Sequence, residues 1–581
     1  MYNVTINSLI YNDILGFLSK FVKRREKTML PAPEQNNCYD YLRKCTSIYG
    51  DVYMMQHFGV MYRKSEMFRD IESLAAFFYH DVGLRKGDVY TIFMPTTVQS
   101  ILAFYALNKI GVIVSMVHPL MATEFLQEQI ELTHSKGVMV LDLLAKDHIE
   151  TINKSGLPCL VCCSSDYSEG YKRYGSKFAE GIVKKVFTKY QNAAYYKDAL
   201  KTTSSVKGEI NNGDDIAVYL NGGGTTGKSK TIKLTNKALN ELTCRVSDID
   251  EIHDPGEEAE IIVLPLFHCF GLVIAVHMAL CNSARLIPMM QFDAKIFVRL
   301  MKKYKIVGFG GIPLMFQKLM RQKGFDGPHL KNIRMMFCGG DDISESFIEE
   351  YNALFEKWGA TGRLRQGYGL TEIGSVCCTN TNDDFRKGSI GKAIRGVHIE
   401  IWDDNHKQVP NGTVGEFAIS GPTIMSGYYT ENEKDDYGLY TDEKGTKWVL
   451  SGDLGYVDDD GYYYFSGRKK RLIIIAGYNV YPSDIEKLVG DMPFIKDCCA
   501  VQGWDNGRSM VRLYASLREP GDEQAYKQKI CEACEGNFSK FYVPRDIVFV
   551  DELPQTPLMK IDFMKLTAAD PEKIRATRKV D

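Results

Sequence analysis

The sequence predicts an α/β protein of more than one domain, and three observations carry that reading. The chain has 581 residues, more than one hydrophobic core ordinarily organises. Residues 89–94, 97–110 and 112–117 read as strand, helix and strand, with Ile101, Leu102, Tyr105 and Leu107 apolar in the helix, which is the spacing of a parallel βαβ unit. Residues 333–342 read as a buried strand running into a glycine turn, with Ser344 placed as the N-cap of a Glu-rich helix start.

Bulk properties narrow the function classes. Hydrophobic residues make up 45% and charged residues 25%, and the formal net charge is −2, so the chain carries no basic footprint for nucleic acid. Its 15 cysteines are scattered, with one CxxC at Cys531 and Cys534 and no second ligand pair for zinc, which points to free thiols in a reducing cytoplasm. The N-terminus lacks a basic start before its apolar residues, unlike a signal peptide, and both a docked helix and an amphipathic surface arm remain open for it. No apolar run reaches the length of a membrane span.

The stretch from Asn221 to Thr231 crowds Gly222, Gly223, Gly224 and Gly227 beside Thr225, Thr226, Lys228, Ser229 and Lys230. Backbone N–H groups free of Cβ obstruction, together with hydroxyls and cations, make a phosphate loop. Taken literally it satisfies GxxxxGK[ST], whose nucleotide-binding form needs a strand before it and a helix opening at Lys-Ser. Residues 214–220 and 231–235 both alternate apolar and polar, so the loop reads strand to strand. The helix begins later, with Thr235 as N-cap and Leu239, Leu242, Val246 and Ile249 as its apolar stripe.

Further motifs follow in order. They are an apolar strand from Ile261 ending in His268 inside an aromatic turn closed by Gly271; Gly339, Gly340 and Asp341; Gln366-Gly-Tyr-Gly-Leu-Thr-Glu372; Ser426-Gly-Tyr428; Ser451-Gly-Asp453; Gly467-Arg-Lys-Lys-Arg471; Gly477 in a loop before Tyr481 and Pro482; and Leu553-Pro-Gln-Thr-Pro-Leu-Met-Lys560. With Gly224-Thr-Thr-Gly227 and Lys230, this series resembles the AMP-forming adenylating superfamily of acyl-CoA synthetases, aryl-CoA ligases and adenylation domains. The resemblance runs from about residue 60 to 570. Departures stand at Gly222 and Gly223 for hydroxyl residues, Ser229 for Pro, Thr231 for Gly, Ser451 for Thr, Arg471 for an acidic residue and Met559 for Gly.

The resemblance implies a large multi-subdomain N-terminal domain with parallel sheets plus a β subdomain, residues 1–469, and a small mobile α+β C-terminal domain, residues 470–581. It implies ATP, Mg²⁺ and coenzyme A as cofactors, and a reaction from acid and ATP to acyl-AMP and pyrophosphate, then to thioester and AMP. The expected catalytic residues are Lys560, Thr371, Glu372 and His268, with Glu372 also holding the metal. Gly224, Thr225, Thr226, Gly227 and Lys230 would contact phosphate; Gly340, Asp341, Gly367 and Tyr368 the adenine side; Asp453 and Arg468 the ribose. Gly477 would line the thiol channel and Lys470 would be the hinge. Amino-acid-activating relatives carry an Asp near His268, absent here, so a non-amino acid is expected, a fatty acid before an aryl acid. An acyl-carrier arm is the alternative acceptor, and a P-loop NTPase the alternative enzyme class.

Overall fold

The computed structural model describes residues 30–142, 148–167, 190–206, 211–222, 230–246, 252–340, 343–430, 438–505, 508–555 and 561–571. Two large sheets dominate it. In the eight-stranded one, Ile113–Met116, Val89–Phe93, Val138–Leu141 and Cys159–Cys162 run parallel, as the βαβ pattern requires. The helix Val98–Lys109 that crosses between the first two is buried over almost its whole length, and Thr97 caps it by accepting from Ser100 N–H. A helix covered on every side has no solvent face to carry charge, so it reads apolar all round.

The same sheet extends through the hairpin Ile216–Gly222 and Lys230–Thr235, antiparallel with Asn221 opposite Thr231 and Gly222 opposite Lys230. The phosphate loop therefore joins two strands. A P-loop nucleotide fold, which needs a helix at Lys228-Ser229, is excluded by the strand that resumes at Lys230. The helix Asn236–Val246 follows, and its start is capped by Thr235, whose hydroxyl accepts from Ala238 N–H at 3.1 Å.

The nine-stranded sheet centres on Ala259–Ile262, Ile306–Gly311, Met335–Cys338 and Leu364–Tyr368, all parallel to their neighbours in this series. Residues 261–268 depart from the expected strand, which stops at Ile262. Pro265 cannot donate to a ladder, and the chain turns through His268 into the buried π-helix Phe270–Met278. Gly271 sits where a Cβ would lie 2.1 Å from the Pro265 carbonyl, so that turn admits glycine alone. Ser344 caps Glu345–Lys357 as expected, accepting from Phe347 N–H at 3.3 Å.

One apolar cluster joins both large sheets. A five-stranded antiparallel sheet packs beside them, and in it Asp453 of Lys447–Val457 is the direct register partner of Arg468 of Tyr463–Arg468. Beyond the short Lys469–Arg471 turn the small C-terminal domain has a separate core from Ile473, Val480, Ile485, Val511 and Leu513. It is α+β: the hairpin Ile473–Ile475 and Tyr478–Val480, the strands Ile495–Asp505, Arg508–Leu517 and Asp546–Val550, and the helices Pro482–Gly490, Glu523–Asn537 and Phe563–Ala568. None of the 15 cysteines forms a disulfide, and no helix among the described residues is long and apolar enough to cross a membrane.

Candidate active site

A cleft of about 1570 Å³ opens where the strands Met335–Cys338, Leu364–Tyr368 and Ile216–Gly222 end, with the five-stranded sheet on one side and the small domain above. Ligands of α/β sheets gather at such carboxyl ends, because backbone groups and turn residues converge there. The motif residues His268, Gly340, Gly367, Tyr368, Thr371, Glu372, Asp453 and Arg468 all line this one space.

Asp453 is withdrawn from solvent, with 0% exposure. Tyr368 donates its hydroxyl to Asp453 Oδ2 at 2.6 Å, and Arg468 Nε lies 2.9 Å from Oδ1. The Asp453 N–H is held in turn by Ser451 Oγ at 3.0 Å. Burial, and then the charge of Asp453, raise the Tyr368 hydroxyl well above its usual range, so it remains a neutral donor. The Tyr368 ring meets Phe417 edge-on at 5.3 Å and lies tilted against Phe465 at 6.1 Å. This is a buried carboxylate held rigidly at the wall of a cleft, an acceptor suited to paired hydroxyls.

Glu372 lies on the single 3₁₀ turn Thr371–Ile373. Its carbonyl accepts from Met425 N–H at 2.7 Å and its Oε1 from the Tyr428 hydroxyl at 3.0 Å. A Cβ placed on Gly222 would sit 3.9 Å from that same oxygen, so the carboxylate stands at the root of the phosphate hairpin. Lys230, at the other root, lies with Nζ 4.3 Å above the Tyr428 ring. In the same turn Gly369 is required by the chain itself, since a Cβ there would meet the Ser375 carbonyl at 1.6 Å. A hard oxygen donor beside a phosphate loop fits Mg²⁺, which takes one or two carboxylates and completes its shell with phosphate oxygens and water. Among the described residues there is no cluster of three or more His, Cys, Asp or Glu that would hold a metal by itself.

Also lining the cleft, His268 has its Nδ1 accepting from Phe270 N–H at 3.2 Å, so a ring hydrogen on the neutral tautomer belongs on Nε2. Beside it His118 packs on Phe267 at 4.2 Å and takes Leu120 N–H on its own Nδ1 at 3.0 Å; burial lowers its pKa, which favours its neutral ring.

The small domain presents Ile561, Asp562, Phe563 and Met564 to the cleft. These residues directly follow Lys560. Gly477 (φ +83°) and Ala476 (φ +50°) form a turn whose flanks Ile474 and Tyr478 are 55% and 60% exposed, and the turn is not part of the cleft wall. Around the expected hinge, Lys469 pairs with Glu416 and Asp404 of the large domain, while Arg471 pairs with Glu486 and donates to the Ala500 carbonyl of the small one. Lys470 stands between these two anchors.

A family model described as AMP-binding enzyme matches residues 60–429, and one described as AMP-binding enzyme C-terminal domain matches residues 484–560. The chain belongs to the AMP-binding enzymes. It is 25% identical over 517 residues to a long-chain-fatty-acid–CoA ligase of Escherichia coli O6:H1, covering 85% of this chain and 88% of that protein. It is 24% identical over 498 residues to 4-coumarate–CoA ligase-like 6 of Arabidopsis thaliana, covering 84% and 83%. Among solved structures, ATP-bound MatB from Rhodopseudomonas palustris shares the fold at 22% identity and a TM-score of 0.76, covering 94% of this chain and 100% of that one. The anthranilate CoA ligase AuaEII with anthranoyl-AMP does so at 19% and 0.77, covering 95% and 100%.

For this AMP-binding enzyme the expectations of an adenylating α/β fold and of acid–thiol ligase relatives are met. Gly224, Thr225, Thr226, Gly227, Asp341 and Lys560 lie outside the described residues. Lys230, Gly340, Gly367, Tyr368, Asp453, Arg468, His268, Thr371 and Glu372 come together at one cleft, and Gly477 does not join them in this arrangement of the domains. Sequence reasoning missed His118, Tyr428 and Arg471 as cleft residues. Tyr428 arrives through the pairing of Gly427–Tyr429 with Lys230–Thr235, a contact between segments far apart in the chain that no local spacing signals.

Proposed function

We propose that this enzyme couples ATP to the activation of a carboxylic acid with an aliphatic tail, forming acyl-AMP and then a coenzyme A thioester. The observation that carries the reading is the placement of a rigid Asp453–Tyr368–Arg468 unit, the Glu372 carboxylate and His268 around one cleft. A carboxylate is a poor acyl donor because oxide would have to leave. Its oxygen attacks the α-phosphorus, pyrophosphate departs, and the mixed anhydride so formed loses AMP when a thiol sulfur attacks its carbonyl.

In this reading Asp453 accepts from the ribose hydroxyls, with Arg468 holding its Oδ1 in place. Tyr368, bonded through its hydroxyl, contributes its ring to the nucleotide wall. Thr371 donates to the α-phosphate, and Glu372 would hold Mg²⁺, which would supply charge neutralisation on the phosphates. The His268 Nε2 proton orients the substrate carboxylate, and Lys230 and the glycines of the hairpin hold the terminal phosphates. Gly339 and Gly340 keep the passage toward the tail open. The boundary between a large domain and a mobile small one belongs at 469/470, where the anchors of Lys469 and Arg471 diverge. Release of AMP, measured with and without coenzyme A across a panel of carboxylic acids, tests the reading. Acid-dependent AMP and pyrophosphate are expected, and acid-independent ADP formation would overturn it.

A further inference from the structure

The helix Pro482–Gly490 of the small domain gives Pro482, Ser483 and Glu486 to the cleft wall and is held by the large domain at both ends. In its first turn Ser483 donates to the carbonyl of Ser466, on the strand whose Arg468 faces Asp453. In its last turn Lys487 Nζ lies 2.9 Å from Glu345 Oε1, and the C-cap residue Asp491 accepts from the Ser346 hydroxyl at 2.9 Å. Glu486, one position before Lys487, ties the same helix to Arg471 beside the hinge. Contacts spread over both ends of a helix fix it as a rigid body, so the small domain cannot turn without breaking them.

Glu345 opens the helix Glu345–Lys357, shortly beyond the cleft residues Gly339 and Gly340. The helix dipole favours an acidic residue in that first turn. Its carboxylate is also aimed by its own domain: Lys387 stands 3.7 Å from Oε2, and Gly388 leaves room for Oε1, where a Cβ would lie 2.8 Å away. One carboxylate is thus shared between a lysine of the large domain and a lysine of the small one. In the second pair 24% of Glu345 and 46% of Lys487 are exposed, so water reaches both. A pair as wet as this adds little to the stability of the fold. What it does set is where the small domain sits.

Resting on the acyl-CoA ligase reading above, we propose that Glu345 and Lys487 are positioning residues for the first half-reaction. Their ion pair holds the small domain with Ile561 to Met564, the residues that follow Lys560, facing the cleft, and its loss releases the domain toward the thioester-forming orientation. Neither residue lines the cleft, so their effect runs through the pose of the domain that carries Lys560. Because the pair meets water, dissolved salt screens it. Ionic strength then shifts the balance between the two half-reactions through this contact.

The test is the ratio of pyrophosphate exchange to coenzyme A-dependent consumption of synthetic acyl-AMP, each measured at saturating substrates and low ionic strength. Lys487→Met and Glu345→Ala should each lower that ratio about 2- to 5-fold, the range of a partly exposed ion pair. The double variant should fall no further than either single one, because the two groups act as a unit. Raising KCl should lower the wild-type ratio toward that of the variants and leave theirs unmoved, a response that a merely structural role would not give. Ser346→Ala, which removes the neighbouring contact with Asp491, should lower the ratio in the same direction and serves if a charge variant does not fold. Equal losses in both half-reactions, additive losses in the double variant, a wild-type ratio that KCl does not move, or a ratio unchanged in folded variants each overturns the inference while leaving the ligase reading intact. Failure of every acid to support exchange in the wild type overturns both.

Discussion

Asp453 owes its usefulness to three neighbours that hold it from different directions: Tyr368 on one oxygen, Arg468 on the other, and Ser451 on its own N–H. Asp453→Asn keeps the shape and loses charge-assisted bonding, a change of about 1.5 to 3 kcal/mol. The expected outcome is an ATP KM raised about 10- to 100-fold with the ranking of acids unchanged; a variant that re-ranks acids at unchanged ATP KM removes Asp453 from the nucleotide site. Glu372 takes the Tyr428 hydroxyl on its Oε1. Glu372→Gln preserves that contact, so a higher Mg²⁺ requirement for pyrophosphate exchange would isolate the metal role. An unmoved Mg²⁺ titration would mean that ATP oxygens and water hold the ion without this residue.

At the scale of elements, the helix Pro482–Gly490 couples the small domain to the large one. Ser483 donates to the Ser466 carbonyl, and Lys487 reaches Glu345 at 2.9 Å. Asp484 in its first turn is raised by burial from 3.8 to about 6, against the smaller lowering pulls of Tyr542 and Lys487. A carboxyl that binds its proton more tightly when folded lends stability below its unfolded pKa, and that stability is lost as pH rises from about 3.8 to about 6. The loss is about 1 to 3 kcal/mol after allowance for the part of the side chain that meets water. Asp484→Asn should therefore raise the melting temperature more at pH 8 than at pH 5. Equal shifts at the two pH values would show that this carboxyl does not carry the dependence.

For the molecule as a whole, the decisive feature is that the segment following Lys560 faces the cleft while the Gly477 turn is exposed to solvent. One small domain carries both, so in the function proposed above the two half-reactions would use two orientations, exchanged about Lys470 between the anchors of Lys469 and Arg471. Lys560→Ala should cut acyl-AMP formation by roughly 10² to 10³ and spare the conversion of supplied acyl-AMP to thioester. Lys470→Pro, which fixes φ, and Gly477→Trp, which blocks the channel, should do the reverse. Pyrophosphate exchange and coenzyme A-dependent consumption of synthetic acyl-AMP read the halves separately. Equal losses in both halves for all three folded variants would exclude the exchange of orientations.

Local order is legible in the residues themselves: the βαβ unit, the strand-to-strand phosphate hairpin, and the caps at Thr235 and Ser344 follow from periodicity and side-chain chemistry acting over a few positions. The sequence also names the residues proposed for phosphate, metal and ribose, but through the order of motifs that resembles the adenylating superfamily, since residue type alone assigns no partner. Register and packing, which join distant segments, were decided only by the tertiary structure. They set Asp453 opposite Arg468, brought Tyr428 to Glu372, ended the strand at Ile262 so that His268 lies in a turn, and folded Arg471 onto Glu486. They also turned Glu260 of the strand Ala259–Ile262 into the interior. Alternation along a strand states that one side chain faces opposite to the next, but which face is enclosed depends on the helix that packs there, and no residue of the strand encodes it alone.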